Sequence, residues 1–175
     1  MNLPNVLTVV RFFLIPVFAY TYLSGEDVVI PVVVLAVSGL TDILDGYIAR
    51  KYNLITKWGI VFDPIADKLT QLTVAFCIAL KGYSPMWIVF GVLFVKELVM
   101  VLGGINLYKK SDVVISANWY GKVATLIFYI LFFTLIISGG NIGGIEGAVM
   151  IACALALSLF ALIRYTIVFF GMRKK

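Results

Sequence analysis

Long apolar runs separated by short polar punctuation dominate the chain. They extend from about Val6 to Leu23, Val28 to Ile48, Ile60 to Leu80, Met86 to Leu107, Trp119 to Ile137 and Ile145 to Phe170. A helix needs roughly 20 apolar residues to cross a hydrocarbon core of about 30 Å. Each run therefore predicts one transmembrane helix, and together they predict an all-α, polytopic membrane protein of six spans. The breaks carry turn and polar residues: Ser24 to Asp27, Lys51 to Asn53, Lys81 to Pro85, Lys109 to Asp112 and Ser138 to Asn141. Nothing is left over for a separate soluble domain, so residues 1–175 read as a single membrane domain. The opening MNLPNVLTVVRFF has no small-residue cleavage site after it and predicts a first span that is retained.

Composition supports this reading and adds an orientation. Of the 175 residues, 62% are hydrophobic and 13% charged, and the mean hydropathy is +1.07. Those values lie outside the range of ordinary soluble domains. Arg50, Lys51 and Lys57 follow the second run, Lys109, Lys110 and Lys122 lie between the fourth and fifth, and Arg173, Lys174 and Lys175 close the chain, whereas the alternate breaks offer Lys81. Positive loops stay in the cytoplasm, so both termini are expected there, in what reads as a bacterial plasma membrane. The net charge of +5 is then accounted for by anionic lipid headgroups, without nucleic acid. Trp87, Trp119, Tyr108 and Tyr120 fall near span ends, as interfacial anchors do.

Candidate chemistry is narrowed by what is scarce. The two cysteines, Cys77 and Cys153, stand alone in apolar runs and read as small buried hydrophobes. Histidine is absent, which removes the usual general base. Among nine acidic residues, Asp42 and Asp45 end the second run, and Asp63 and Asp67 open the third. At 100° per residue, Asp42 and Asp45 share one helix face, as do Asp63 and Asp67. Two adjacent antiparallel helices would converge all four carboxylates at the cytoplasmic end of the bundle. Like charges beside a low-dielectric interior protonate or find cations. Oxygen donors without histidine or cysteine suit hard divalent ions, magnesium first, with manganese or calcium as the alternatives, and two bridged ions would form a clamp for phosphoryl chemistry.

A plainer reading makes these aspartates helix caps or partners of Arg50, Lys51 and Lys68, and Asp63 before Pro64 does look like a helix start. Gly46 and Ala49, on the Asp42/Asp45 side, leave room for a flat group near the backbone, with Arg50 as a phosphate-binding fork. They equally suit close packing between membrane helices.

The run Asp42-x-x-Asp45-Gly46-x-x-Ala49-Arg50, followed after a spacer by Gly59-x-x-x-Asp63-x-x-x-Asp67, resembles the complete signature of the CDP-alcohol phosphotransferase family. The resemblance implies a metal-dependent reaction in which an alcohol displaces CMP from a CDP-linked lipid. It implies Asp42, Asp45, Asp63 and Asp67 as ligands of two magnesium ions, and Asp67 also as general base. Gly46, Ala49, Arg50 and Gly59 are implied around the cytidine and diphosphate, with Thr56 beside the donor phosphate. Members are typically homodimers.

The segment Leu3-Pro4-Asn5-Val6-Leu7-Thr8-Val9-Val10-Arg11 and the stretch Asp63 to Lys68 resemble the branch that transfers the phosphatidyl group of CDP-diacylglycerol to glycerol 3-phosphate. Asn5 and Thr8 would then lie near the nucleotide, or simply cap the first helix. A phosphorylated acceptor calls for cations, for which Lys96, Lys122, Arg164 and Lys68 are the candidates; Lys96 and Arg164 also suit structural pairing with Glu97. Glycerol 3-phosphate users commonly carry Arg-Glu where this chain has Lys96-Glu97, and a further arginine where it has Gly104. The cardiolipin synthases of the family, which use phosphatidylglycerol as acceptor, share the opening and the aspartates and form the alternative. A divalent-cation transporter is a remoter one, since its carboxylates would spread through the membrane depth.

Overall fold

The computed structural model describes residues 2–25, 27–52, 54, 56–111, 119–139 and 145–173, with the side chains of residues 57, 60, 61, 101–111, 119–122, 124, 165 and 168–173 left out of that description. Among the described residues it contains six helices: α1 (Leu3–Ser24), α2 (Val29–Lys51), α3 (Lys57–Leu80), α4 (Pro85–Ser111), α5 (Trp119–Ile137) and α6 (Ile145–Arg173). They fall where the apolar runs place them. Among the described residues, three segments are long and apolar enough to cross a membrane, Leu3–Ser24, Val29–Lys51 and Ile145–Arg164, and Thr125–Ile137 is a shorter apolar stretch. The charges of Asp63, Asp67 and Lys68 interrupt α3, and Lys96 and Glu97 interrupt α4.

The helix ends have local causes. Pro4 sits in the first turn of α1, where its missing N–H costs nothing. Thr56 caps α3, its hydroxyl accepting from the Gly59 N–H at 3.0 Å. Asp63-Pro64 is thus not a helix start: the cap sets the start at Lys57, and Pro64 lies inside α3. Gly82, at φ 104°, makes the turn into α4, a conformation that disfavours a side chain.

One face of each early helix turns inward: Pro4, Thr8, Arg11, Phe18 and Tyr22 on α1, and Pro31, Leu35, Ser38, Thr41 and Asp45 on α2. α1 packs extensively against both α2 and α3, which scarcely touch each other directly. The expected side-by-side packing of α2 and α3 is therefore replaced by a three-helix arrangement with α1 wedged between them. α4 packs on α3 and α6, α5 on α6, and both α2 and α3 reach α5.

The apolar core gathers Phe18, Leu35, Val74, Ile78, Met86, Val89, Leu93, Phe128, Phe132 and Leu135. It fills the half of the bundle where α1, α3 and α5 end and α4 begins. Polar side chains fill the opposite half. Outward faces stay apolar, with Phe13 70% and Ile145 83% exposed, a surface suited to acyl chains and not to water. Cys77 is buried as expected; Cys153 is exposed on α6, among those outward-facing residues.

Candidate active site

The polar half is built in layers down the first three helices. At 1.5 Å per residue, Asp45 and Asp63 each lie about 9 Å from the α2 and α3 ends that face the connecting loop, and Asp42 and Asp67 about 14 and 15 Å from them. The two antiparallel helices so match their carboxylates depth for depth. Asp42 feels the charges of both Asp63 and Asp67, and Asp45 those of Asp63 and Asp42. The four acids thus lie within electrostatic reach of one another along the line Asp45, Asp42, Asp63 and Asp67, a looser arrangement than the single small volume that the spacing predicts.

α1 supplies the groups between them. The Arg11 side chain is fully buried, with Nη1 2.5 Å from Asp42 Oδ1 and Nη2 on Asp45 Oδ2. One turn earlier, the Thr8 hydroxyl donates to Asp63 Oδ1 and also lies 3.1 Å from the Pro4 carbonyl. At the rim, the Thr56 hydroxyl donates to Asn5 Oδ1 at 2.8 Å. Gly59 completes the rim, because a Cβ there would stand 3.2 Å from Thr56 Oγ1 and 3.4 Å from both Asn5 Oδ1 and Asp63 Oδ2. Asn5, Thr8, Thr56, Gly59 and Asp63 are therefore one contiguous surface. Thr56 does serve as a cap, yet Asn5 and Thr8 reach across to α3 and its approach.

Deeper in, Asp67 is held by the Gln71 amide at 3.1 and 3.2 Å and by Lys68 Nζ at 3.1 Å. Lys68 also lies 3.9 Å from Glu97, and Glu97 is 2.8 Å from the buried Lys96. This chain of charges continues the site from α3 into α4. Gly46 lies beneath the exposed Arg50, whose guanidinium would be 3.5 Å from a Cβ at that position. Ala49 is half-buried beside them. Arg164 is exposed on α6 and in no ion pair among the described residues. Lys122, Gly104, Lys109, Lys110, Trp119, Tyr108, Tyr120 and the basic C-terminus lie outside the described side chains.

Sequence reasoning left Arg11 without a task. Among the basic residues weighed as aspartate partners, Lys68 does pair with Asp67, whereas the partner of Asp42 and Asp45 is Arg11 and neither Arg50 nor Lys51. A signal was available: an arginine inside an apolar run needs a buried counter-charge, and few acids lie in the spans.

Among the described residues, no three carboxylate or thiol side chains are gathered closely enough to hold a metal ion as placed. The donor set nonetheless fits a hard cation in chemistry and depth. It is all oxygen, and three of the four carboxylates already face the chain's own cations, Asp42 and Asp45 on Arg11 and Asp67 on Lys68, while Asp63 accepts from Thr8.

Long apolar helices with outward-facing hydrophobic side chains and polar groups gathered inside are the plan of an integral membrane protein. Residues 1–163 match the CDP-alcohol phosphatidyltransferase family, and the chain belongs to it. A CDP-diacylglycerol–glycerol-3-phosphate 3-phosphatidyltransferase of Bacillus subtilis is 34% identical over 142 residues, covering 71% of this chain and 70% of its own. One of the same name from Rickettsia felis is 46% identical over 70 residues, 39% of each chain. A Mycobacterium tuberculosis protein, provisionally named a cardiolipin synthase, is 30% identical over 165 residues, 94% of this chain and 78% of its own.

Proposed function

We propose that the protein transfers a phosphatidyl group from CDP-diacylglycerol to a hydroxyl of glycerol 3-phosphate, releasing CMP. The observation that carries this reading is the continuous polar path from the Asn5/Thr56/Gly59 rim, past Asp63 and Asp67, to Lys68 and Lys96. A nucleotide diphosphate would lie at the rim, with Arg50 beside Gly46 as its cationic fork. A phosphate on the acceptor would lie at the lysines.

In the reaction, the acceptor oxygen bonds to the phosphorus that carries diacylglycerol, and the P–O bond to CMP breaks. Asp67 takes the hydroxyl proton, its carboxylate aimed by Gln71 and Lys68. Two magnesium ions held by Asp42, Asp45, Asp63 and Asp67, with manganese as substitute, would supply charge neutralisation at the diphosphate. The apolar outer faces of α1 and α2 keep the acyl chains of the donor in the bilayer while its headgroup reaches the rim.

The same reading assigns six spans, both termini and the site to the cytoplasmic side of a bacterial plasma membrane, and a homodimeric assembly. A cardiolipin synthase acting on phosphatidylglycerol is the second reading, favoured by Gly104 and by the relative that covers 94% of the chain. Purified protein in mixed micelles, with magnesium or manganese, separates them by CMP release from CDP-diacylglycerol. Release with glycerol 3-phosphate supports the first reading, release with phosphatidylglycerol alone the second, and no release with either refutes both.

A further inference from the structure

Arg11 stands out because it fills the space that the acidic site would otherwise give to an ion. Its side chain is fully buried, and a buried guanidinium persists only against carboxylates. The two it meets, Asp42 and Asp45, lie one helical turn apart on α2, and each takes a separate nitrogen of the fork. An ion bridging those carboxylates would occupy the same place. With the guanidinium still there, a divalent cation would meet a like charge at contact distance in a low-dielectric interior. Arg11 is also incompletely satisfied, since its Nε is buried with no hydrogen-bond partner. The guanidinium therefore has a donor left over for another acceptor if it turns.

We propose that Arg11 is a built-in counter-cation of the acidic site, holding Asp42 and Asp45 in the metal-free protein and giving up at least one of them when a divalent ion loads. This rests on the metal-holding role given to the aspartates under Proposed function. In the metal-free state the pairing keeps α1 and α2 locked together at the site and prevents the buried Asp45 carboxylate from standing unpaired beside the more open Asp42. Metal and arginine compete for the same oxygens, so the ion affinity of the protein is set partly by the strength of the Arg11 pair. Thr8, on the same helix face, holds Asp63 through a neutral hydroxyl and offers an ion no such competition.

The test measures manganese binding, by electron paramagnetic resonance of free Mn2+, to purified wild type, Arg11→Gln and Arg11→Lys without substrate, with thermal unfolding recorded at each concentration. Competition predicts that Arg11→Gln binds Mn2+ about tenfold or more tightly than wild type. It also predicts that this variant melts lower without metal and regains most of the loss at saturating Mn2+. Arg11→Lys, whose single ammonium lacks the fork, is expected between the two and keeps the comparison open if the glutamine variant does not fold. Manganese affinity in the folded variants equal to or weaker than wild type would show Arg11 to be a fixed member of the site and overturn the proposal. Absence of binding in all three proteins would instead refute metal holding by the aspartates, and this inference with it. Binding in Arg11→Gln that wild type lacks would support competition most strongly.

Discussion

Replacing Glu97 by glutamine removes the carboxylate 2.8 Å from Lys96 and 3.9 Å from Lys68, while Lys96 stays buried. Breaking a buried ion pair from one side costs about 3–5 kcal/mol, because the remaining charge is stranded away from water. The two lysines lie within electrostatic reach of each other, and Asp67 is near enough to offset part of the loss. Glu97→Gln is therefore expected at the lower end, about 3 kcal/mol. Removing both charges in Lys96→Met/Glu97→Leu strands nothing and should return stability to within about 1 kcal/mol of wild type. Denaturant titration in detergent micelles, followed by helical circular dichroism, measures both. A loss below about 1 kcal/mol for the single variant, or a double variant as unstable as the single, would refute the argument that Glu97 holds Lys96 in place. The double variant also separates structure from function. Folded but without Lys96, it should show KM for the phosphorylated acceptor raised about tenfold with kcat little changed.

Two further substitutions probe the rim and the base. Gly59→Ala places a methyl 3.2–3.4 Å from the side chains of Thr56, Asn5 and Asp63 and should raise KM for CDP-diacylglycerol several-fold while stability changes by less than about 1 kcal/mol, the helical preference for alanine offsetting the tight contacts; a KM equal to wild type would contradict the packed rim. Asp67→Asn should lower kcat by about 10²–10⁴ while CDP-diacylglycerol binding, read by equilibrium dialysis, is kept; turnover unchanged would remove Asp67 from the chemistry.

The helices were legible because apolar runs of span length leave few alternatives, and the structure moves their ends for local reasons. α3 begins at Lys57 and not at Ile60, since Thr56 caps it. α4 continues through Tyr108, Lys109 and Lys110 to Ser111, because polar side chains past a span's edge do not end a helix. The pairing of Asp42 with Asp45 and of Asp63 with Asp67 followed from helical periodicity within one helix. What joins the two pairs did not: α1 holds the first through Arg11, 31 and 34 residues from Asp42 and Asp45, and reaches Asp63 of the second through Thr8, 55 residues away, and the wedge of α1 between α2 and α3 is a tertiary fact. The same holds for Glu97, whose link to Lys68 depends on how far α3 and α4 run from their shared turn. Matching depth along antiparallel helices is readable from sequence once the hairpin is assumed, but which helix stands between is not.

Anomalous diffraction from crystals soaked in manganese tests the central claim most directly. The account predicts density between α2 and α3, about 2.0–2.3 Å from oxygens of Asp42, Asp45, Asp63 or Asp67, with Arg11 turned off at least one of its two carboxylates. Manganese found elsewhere, with Asp42 and Asp45 still clasping Arg11 and Asp67 still on Lys68, would contradict it.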